Sequence, residues 1–231
     1  MISKNKIKLI RSLETKKGRE KAGLFVAEGP KVVNDLLDAG FTAEDIIEDA
    51  EDIKKVSFLQ HPQPMLGVFR FKPKSASPDI LSTLSIALDG VQDPGNLGTI
   101  IRVADWFGID NIICSNDTVD CWNPKVVQAT MGSIARVNIH YINLEDLIAF
   151  LPGDFPVYGT LLDGKNIYEE ALSKNGIIVM GNEGNGISQP IREKVNRKLL
   201  IPTFSNSEHK ADSLNVAIAT SIVCSEFKRR G

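Results

Sequence analysis

The sequence predicts an α/β protein: a mostly parallel sheet with helices on both faces, preceded by a small α/β unit. Three observations predict it. From residue 84 onward, short apolar runs alternate with helical stretches. Those runs are nearly continuous in apolar residues, as in strands buried on both faces. A Pro-, Ser- and Lys-bearing segment, FKPKSASPD at 71–79, sets this region apart from a shorter one before it and reads as a linker.

The first domain, 1–75, reads as a basic helix, a short strand LFVAEG, an amphipathic helix PKVVNDLLDAG and a strand around VSFLQ. That makes a unit of about 70 residues, at the small end for a domain. The second domain, 76–231, reads as strands LSIALDGV, NIICS, ARVNIHYI, PVYGTLL, GIIVMG and KLLIPT. Helices are predicted between them at 95–108, 123–131, 144–151, 167–173 and 188–196, with a long one over 213–230. Ligands of such sheets bind at the carboxyl ends of strands. Two unusual loops, GNEGNG (181–186) and TFSNSEHKADS (203–213), both fall there.

Composition narrows the function. The 231 residues are 42% hydrophobic, enough for a real core, with a net charge of −2. Three cysteines without a C-x-x-C pair and three scattered histidines argue against a metal site and for a reducing compartment. MISKNKIKLIRS is basic but has no apolar run behind it, so it does not read as a signal peptide, and no stretch approaches a membrane span. The expectation is a soluble, cytoplasmic protein. Charge is segregated: residues 1–22 carry eight Lys/Arg against Glu14 and Glu20, and smaller basic groups lie at 192–198 and 228–230. Such stripes either serve a phosphate backbone or are simply solvated.

Three stretches carry chemistry. In DGVQDPGNLGTIIRVADWFG (89–108) a strand ends, DPGN turns and a helix begins, with Asp93 or Asn96 as its cap and Pro94 suited to the turn or the first helical position. Ile100, Val103, Ala104 and Phe107 form the expected core stripe. Arg102 lies roughly 150° from the centre of that stripe at about 100° per residue, so it points away from its own sheet. It is either a surface partner of Asp105 or a functional cation. The second stretch is GNEGNG. Its order, G-x-x-G-x-G, is not the dinucleotide fingerprint G-x-G-x-x-G, so its glycines serve either a tight turn or a close ligand. Glu183, directly after a buried strand, calls for a partner. In the third, LLIPTFSNSEHKADSLNVAIATSIVCSEF (199–227), Ser213 or Asp212 is the expected cap of the long helix. Asn215 in its first turn either faces a ligand or serves the cap. His209 near Ser213 lacks the G-x-S-x-G elbow and orienting acid of a nucleophile pair.

Together, in this order and spacing, the three stretches resemble the motifs of the SpoU (TrmH-type) family of RNA ribose 2′-O-methyltransferases of the SPOUT superfamily, over about residues 80–230. Residues 1–75, with FVAEGPKVVNDLL and SFLQHPQPMLGVF, resemble more loosely the small RNA-binding domain that often precedes this catalytic domain. The resemblance implies a trefoil knot near the C-terminus, a homodimer with the active site at the subunit interface, and S-adenosyl-L-methionine as cofactor. Its main-chain contacts would come from Thr160 and Leu161, from Gly181 with Asn182 and Gly184, and from Ile201 with Leu214. The polar set of the family maps onto Asn96, Arg102, Glu183, Ser213 and Asn215. Arg102 would act as base or as cation beside the partner's cofactor. Glu183 and Asn96 would orient it and the sugar, and Ser213 and Asn215 would shape the pocket. The resemblance implies rRNA or tRNA as substrate, with no membrane and no metal. One departure is the long segment TFSNSEHKAD, which would cover the cofactor or contact RNA. The competing readings are a non-catalytic RNA-binding protein that keeps the fold as a dimer scaffold, and a Rossmann oxidoreductase, which the glycine order opposes.

Overall fold

The computed structural model describes residues 2–72, 79–207 and 211–230. The middle of the proposed linker and His209 lie outside the described residues. The chain forms two compact units, Met1–Ala76 with Asp120–Arg136, and Ser77–Val119 with Val137–Gly231.

In the first unit the single basic helix expected from charge is two, α1 (Lys4–Ser12) and α2 (Lys16–Ala22). Ser3 caps the first and Thr15 the second, each side-chain oxygen accepting a main-chain N–H that the helix start leaves unpaired. Next come β1 (Leu24–Glu28), α3 (Pro30–Asp38), β2 (Ala43–Ile47), α4 (Ala50–Val56) and β3 (Leu66–Arg70). The three strands form an antiparallel sheet in the order β1-β3-β2.

No strand runs through VSFLQ. Asp49 caps α4, which ends at Val56, and Ser57 then turns its hydroxyl onto the buried Glu28 carboxylate. Pairing resumes only beyond Pro62 and Pro64, which lack the N–H a strand must donate.

The second unit builds on β4 (Leu84–Leu88), α5 (Pro94–Trp106), β5 (Asn111–Cys114), α6 (Pro124–Ala129), β6 (Asn138–Tyr141), α7 (Leu144–Ala149), β7 (Val157–Asn166), β8 (Gly176–Met180), α8 (Gln189–Arg192), β9 (Arg197–Leu200) and α9 (Val216–Arg230). Of these, α6 belongs to the first unit, and the rest make up the second. Its six strands run in the order β6-β5-β4-β8-β7-β9, and every pairing is parallel.

Alternate strand residues face opposite layers. Ala87, Ile113, Val157, Ile177 and Val179 pack with Leu144 and Ile148 of α7 and Ile191 of α8. On the other side α5 packs against α9, and the Tyr158 ring of β7 meets Phe227 of α9 edge-on at 4.8 Å. Each such fully buried aliphatic or aromatic side chain contributes about 1.5–3 kcal/mol.

No helix forms at 167–173: β7 runs on to Asn166, where Asn166 Oδ1 accepts the Tyr168 N–H and starts a turn. The helix at 188–196 shrinks to the single turn α8. On α5 the buried stripe is Leu97, Ile100, Ile101 and Ala104, while Val103 and Phe107 are only half-buried. The spacing was right and its phase off by a fraction of a turn.

Residues 120–136, placed by alternation in the second domain, pack in the first unit instead. The Trp122 ring sits 4.3 Å from that of Phe25, with Phe41 and Phe71 about it. Asp120 pairs with Arg19, and Arg136 with Asp35. Aromatic area of that size decides where a short helix docks.

The basic stripes are also thinner than their sequence suggests. Arg19 is 2% exposed and donates to Asp120 and to the carbonyls of Leu13 and Glu14. Arg11 donates to Lys55 O and Ser57 O. In the group at 192–198, Arg192 and Lys198 both pair with Asp163, and Lys194 pairs with Glu145. At the C-terminus Arg229 and Arg230 both bind Glu226. Lys4, Lys8, Lys16, Lys17 and Lys21 remain on the surface of α1 and α2.

Candidate active site

Strand order reverses between β4 and β8, and at such a switch point the loops leaving adjacent strands diverge and open a crevice. The loops are Asp89–Asp93 and Gly181–Ile187. The second, GNEGNG, is a closed turn. Asn182 N–H donates to Gly186 O and Gly186 N–H to Asn182 O, both at 2.9 Å. The Asn182 side chain fills the turn: its Oδ1 accepts from Gly184 N and Asn185 N, and its Nδ2 donates to Gly90 O at 2.7 Å. Asn182, expected at the cofactor, thus has its side chain committed to the loop and to motif one.

The glycines serve the same closure. A Cβ on Gly181 would lie 2.2 Å from the carbonyl carbon of Gly186 and 2.3 Å from Ile187 N, and Gly186 has φ +69°. Of the two readings left open for these glycines, the tight turn accounts for Gly181 and Gly186, since the loop's own main chain occupies the space a Cβ would need. Gly184 is different, since a Cβ there would meet only Asn182 Oδ1 at 3.6 Å.

From this turn Glu183 reaches back to motif one. Its carboxylate accepts from Asn96 Nδ2 at 2.9 Å, Asp93 N at 3.2 Å and Gln92 N at 3.3 Å. Asn96 Oδ1 accepts from Asn215 Nδ2 at 2.9 Å, and Asn215 Oδ1 accepts from Ala217 N and Ile218 N at the start of α9. The direction of every amide is fixed. The helix start offers only N–H groups and an ionised carboxylate only acceptors, so flipping either Asn would break bonds on both sides. One polarised chain therefore ties the third motif through the first to the second.

Asn215, and not Ser213 or Asp212, caps α9 with its side chain, which fills the capping role left open for it, and its Nδ2 also donates to Asn96. Asp93 caps α5 by accepting from Asn96 N.

Burial pushes the Glu183 pKa up, but the bonds from Asn96 and from the main-chain N–H groups of Asp93 and Gln92 outweigh it and hold the carboxyl below its ordinary 4.5. A depressed carboxylate contributes stability that is present above the unfolded value and lost as pH falls through the folded one. Glu183→Gln, which turns an NH₂ toward one of these donors, is expected to lower Tm at pH 7. The Tm gap from wild type should close as pH is taken below about 4.5. Scanning calorimetry at pH 7 and at low pH reads this directly, and a gap independent of pH contradicts it.

The remaining sequence candidates fall on two levels. Gly159 pairs with Val179 and Thr160 with Leu199, so Thr160, at the point where β7 breaks register, stands near Gly181 and Ile201 just past the ends of β8 and β9. Thr160 Oγ1 donates to Val179 O, and Leu161 is buried. After Thr160 the pairing jumps to Lys165–Leu199, so 161–164 bulges out of the sheet beside this group. Arg102 is exposed on α5, as its helical phase required, and Ser213 and Leu214 lie in exposed chain before α9. Among the described residues, none of these three joins the hydrogen-bonded chain.

Sequence reading missed Asp89, Gly90, Ser115 and Thr118. Ser115 Oγ accepts Gly90 N–H, and Thr118 Oγ1 donates to Leu88 O, so the end of β4 is held from behind. The only signal for Asp89 was its place as a polar residue ending an apolar strand. Among the described residues no cluster suits a metal ion, and no helix is long and apolar enough to cross a membrane.

Fold and site together define an α/β enzyme whose ligand loops leave the strand ends at the switch point. The model of the SpoU rRNA Methylase family matches residues 83–225, and that of an MRM3-like substrate binding domain matches residues 4–66. The chain belongs to the SpoU rRNA methylase family. It is 30% identical to the 23S rRNA (guanosine(2553)-2′-O)-methyltransferase RlmP of Bacillus subtilis, covering 94% of each chain. Among solved structures it resembles a TrmH-family protein from Porphyromonas gingivalis, with 39% identity, 100% of both chains covered and a TM-score of 0.90. An AdoMet-bound rRNA methyltransferase from Sinorhizobium meliloti gives 32% identity and a TM-score of 0.88, over 100% of this chain and 96% of that one.

Proposed function

We propose that this protein transfers a methyl group from S-adenosylmethionine to a ribose 2′-hydroxyl of RNA, with ribosomal RNA as substrate. The observation that carries the reading is the chain Glu183–Asn96–Asn215, which assembles polar residues from three separate motifs at the strand ends. Support for ribosomal RNA comes from the B. subtilis relative and from the match of residues 4–66 to a substrate-binding domain.

The residues present fit the cofactor. Thr160 at the register break of β7, Gly181 past β8 and Ile201 past β9 bring main-chain groups together, and the adjoining Leu161 and Ile187 are buried. An adenosyl group needs main-chain hydrogen bonds and apolar walls of this kind. When bound, S-adenosylmethionine supplies an electrophilic methyl on a sulfonium sulfur.

The chain's own residues do the rest. Glu183 and Asn96 keep the loops after β4 and β8 in fixed register. Arg102 is exposed on α5 and carries a guanidinium, a cation whose N–H groups all donate. It grips the phosphate beside the target nucleotide and stabilises negative charge developing on the ribose oxygen. The lysines of α1 and α2 attract the RNA backbone.

This reading includes a homodimer and a C-terminal trefoil knot. The dimer is supported by Trp106 of α5 and Ile218 of α9, apolar residues left 84% and 52% exposed.

The test has two stages. Calorimetry should give one S-adenosylmethionine per chain. Radiolabelled methyl should then enter ribosomal RNA and be recovered as a 2′-O-methylated nucleoside. Cofactor binding without transfer to ribosomal RNA, when transfer RNA is labelled instead, overturns the substrate. No binding and no transfer to either leaves the scaffold reading.

A further inference from the structure

We propose that Asp89 is a positioning residue that clamps both stems of the Gly181–Ile187 loop and thereby sets the affinity for S-adenosylmethionine. The inference rests on the cofactor reading above. Asp89 is the first residue past β4 and is 8% exposed. Its N–H donates at 2.9 Å to the carbonyl of Met180, the residue before the loop. Its Oδ2 accepts at 2.7 Å from the N–H of Ser188, the residue after it. One side chain and its own peptide therefore hold the entrance and the exit of the loop at once.

The clamp is itself fixed. Thr118 Oγ1 binds Leu88 O and Ser115 Oγ binds Gly90 N–H, on either side of Asp89, so the aspartate does not follow the loop if the loop moves. A turn with three glycines in six residues is costly to order, because glycine loses the most conformational freedom on being fixed. With Asp89 in place that cost is met during folding. Without it the exit stem loses its anchor, and cofactor binding has to order the loop itself. The loss should therefore appear in cofactor affinity, with turnover at saturating cofactor much less affected.

Asp89→Ala and Asp89→Asn test this. Asparagine keeps an oxygen acceptor for Ser188 N–H at unchanged shape, and alanine removes it. The dissociation constant of S-adenosylmethionine is expected to rise at least tenfold in Asp89→Ala and to stay within threefold of wild type in Asp89→Asn. Hydrogen exchange over 181–188 in the cofactor-free protein should accelerate only in the alanine variant. An alanine variant that binds as wild type does overturns the proposal, as does an asparagine variant as weak as alanine. Should the alanine variant fail to fold, the asparagine variant decides: wild-type affinity and protection at Ser188 support the clamp, and loss of either overturns it. If the wild-type protein binds no S-adenosylmethionine, the cofactor reading fails, and unchanged exchange in a folded alanine variant rejects the clamp independently.

Discussion

Arg102→Ala is expected to lower kcat/KM for RNA methylation by about 10²–10³-fold, the usual cost of removing one donor from a developing oxyanion. Its Tm and its affinity for S-adenosylmethionine should stay at wild-type values. Arg102 is exposed on α5, and the buried stripe Leu97, Ile100, Ile101 and Ala104 lies on the other face of that helix. Nothing in the core depends on it. Arg102→Lys separates charge from shape, because lysine brings a point charge without the planar fork that binds phosphate through two parallel hydrogen bonds. An intermediate rate for lysine is expected. A lysine variant as inactive as alanine would mean that fork geometry is indispensable. A fall in Tm with Arg102→Ala would instead mark the residue as structural.

Gly181→Val is expected to remove cofactor binding and to destabilise the protein by about 1–3 kcal/mol, as overpacking does. The Cβ would be built 2.2 Å from the Gly186 carbonyl carbon, and main chain cannot yield as the end of a flexible side chain can. Gly184→Ala is the control. Its Cβ meets nothing nearer than 3.6 Å, so its Tm should match that of wild type within about 1–2 °C. The pair is informative because the two glycines look alike in sequence. If both variants unfold at the same temperature as wild type, the close return of Gly186 onto Gly181 is wrong. Equal destabilisation by both would mean that the loop is strained throughout.

The net charge of −2 says little about how this protein meets RNA, and the apparent basic patches mislead in the other direction. Arg192 and Lys198 look in sequence like a phosphate-binding cluster, but both are drawn to Asp163, a carboxylate some 30 residues earlier in the chain that the bulge of β7 carries to them. Arg19 looks like part of a surface stripe, but it is buried against Asp120. A linear count cannot see either partner. Salt titration of RNA binding with the α1 and α2 lysines replaced is the corresponding check on what remains, since each lost phosphate contact flattens the salt dependence.

What the sequence determined by itself was local or periodic. Continuous apolar runs alternating with helical spacing gave the parallel sheet, because a strand covered on both faces has no polar side. The phase of α5 put Arg102 outside, because helical geometry holds without knowledge of neighbours. Motif order and spacing gave the family, and they singled out Asn96, Glu183 and Asn215, which the fold joins in one hydrogen-bonded chain. The tertiary structure decided what depends on residues far apart in the chain. It placed Trp122 among Phe25, Phe41 and Phe71, and among Asp212, Ser213 and Asn215 it made Asn215 the cap of α9. It filled the Cβ space of Gly181 with the loop's own main chain, which the glycine spacing alone left open between a tight turn and a close ligand. It also brought Asp89 onto Ser188, 99 positions later. Hydrogen bonds and close packing reach only a few ångströms, and the fold alone determines which distant residues come within that range.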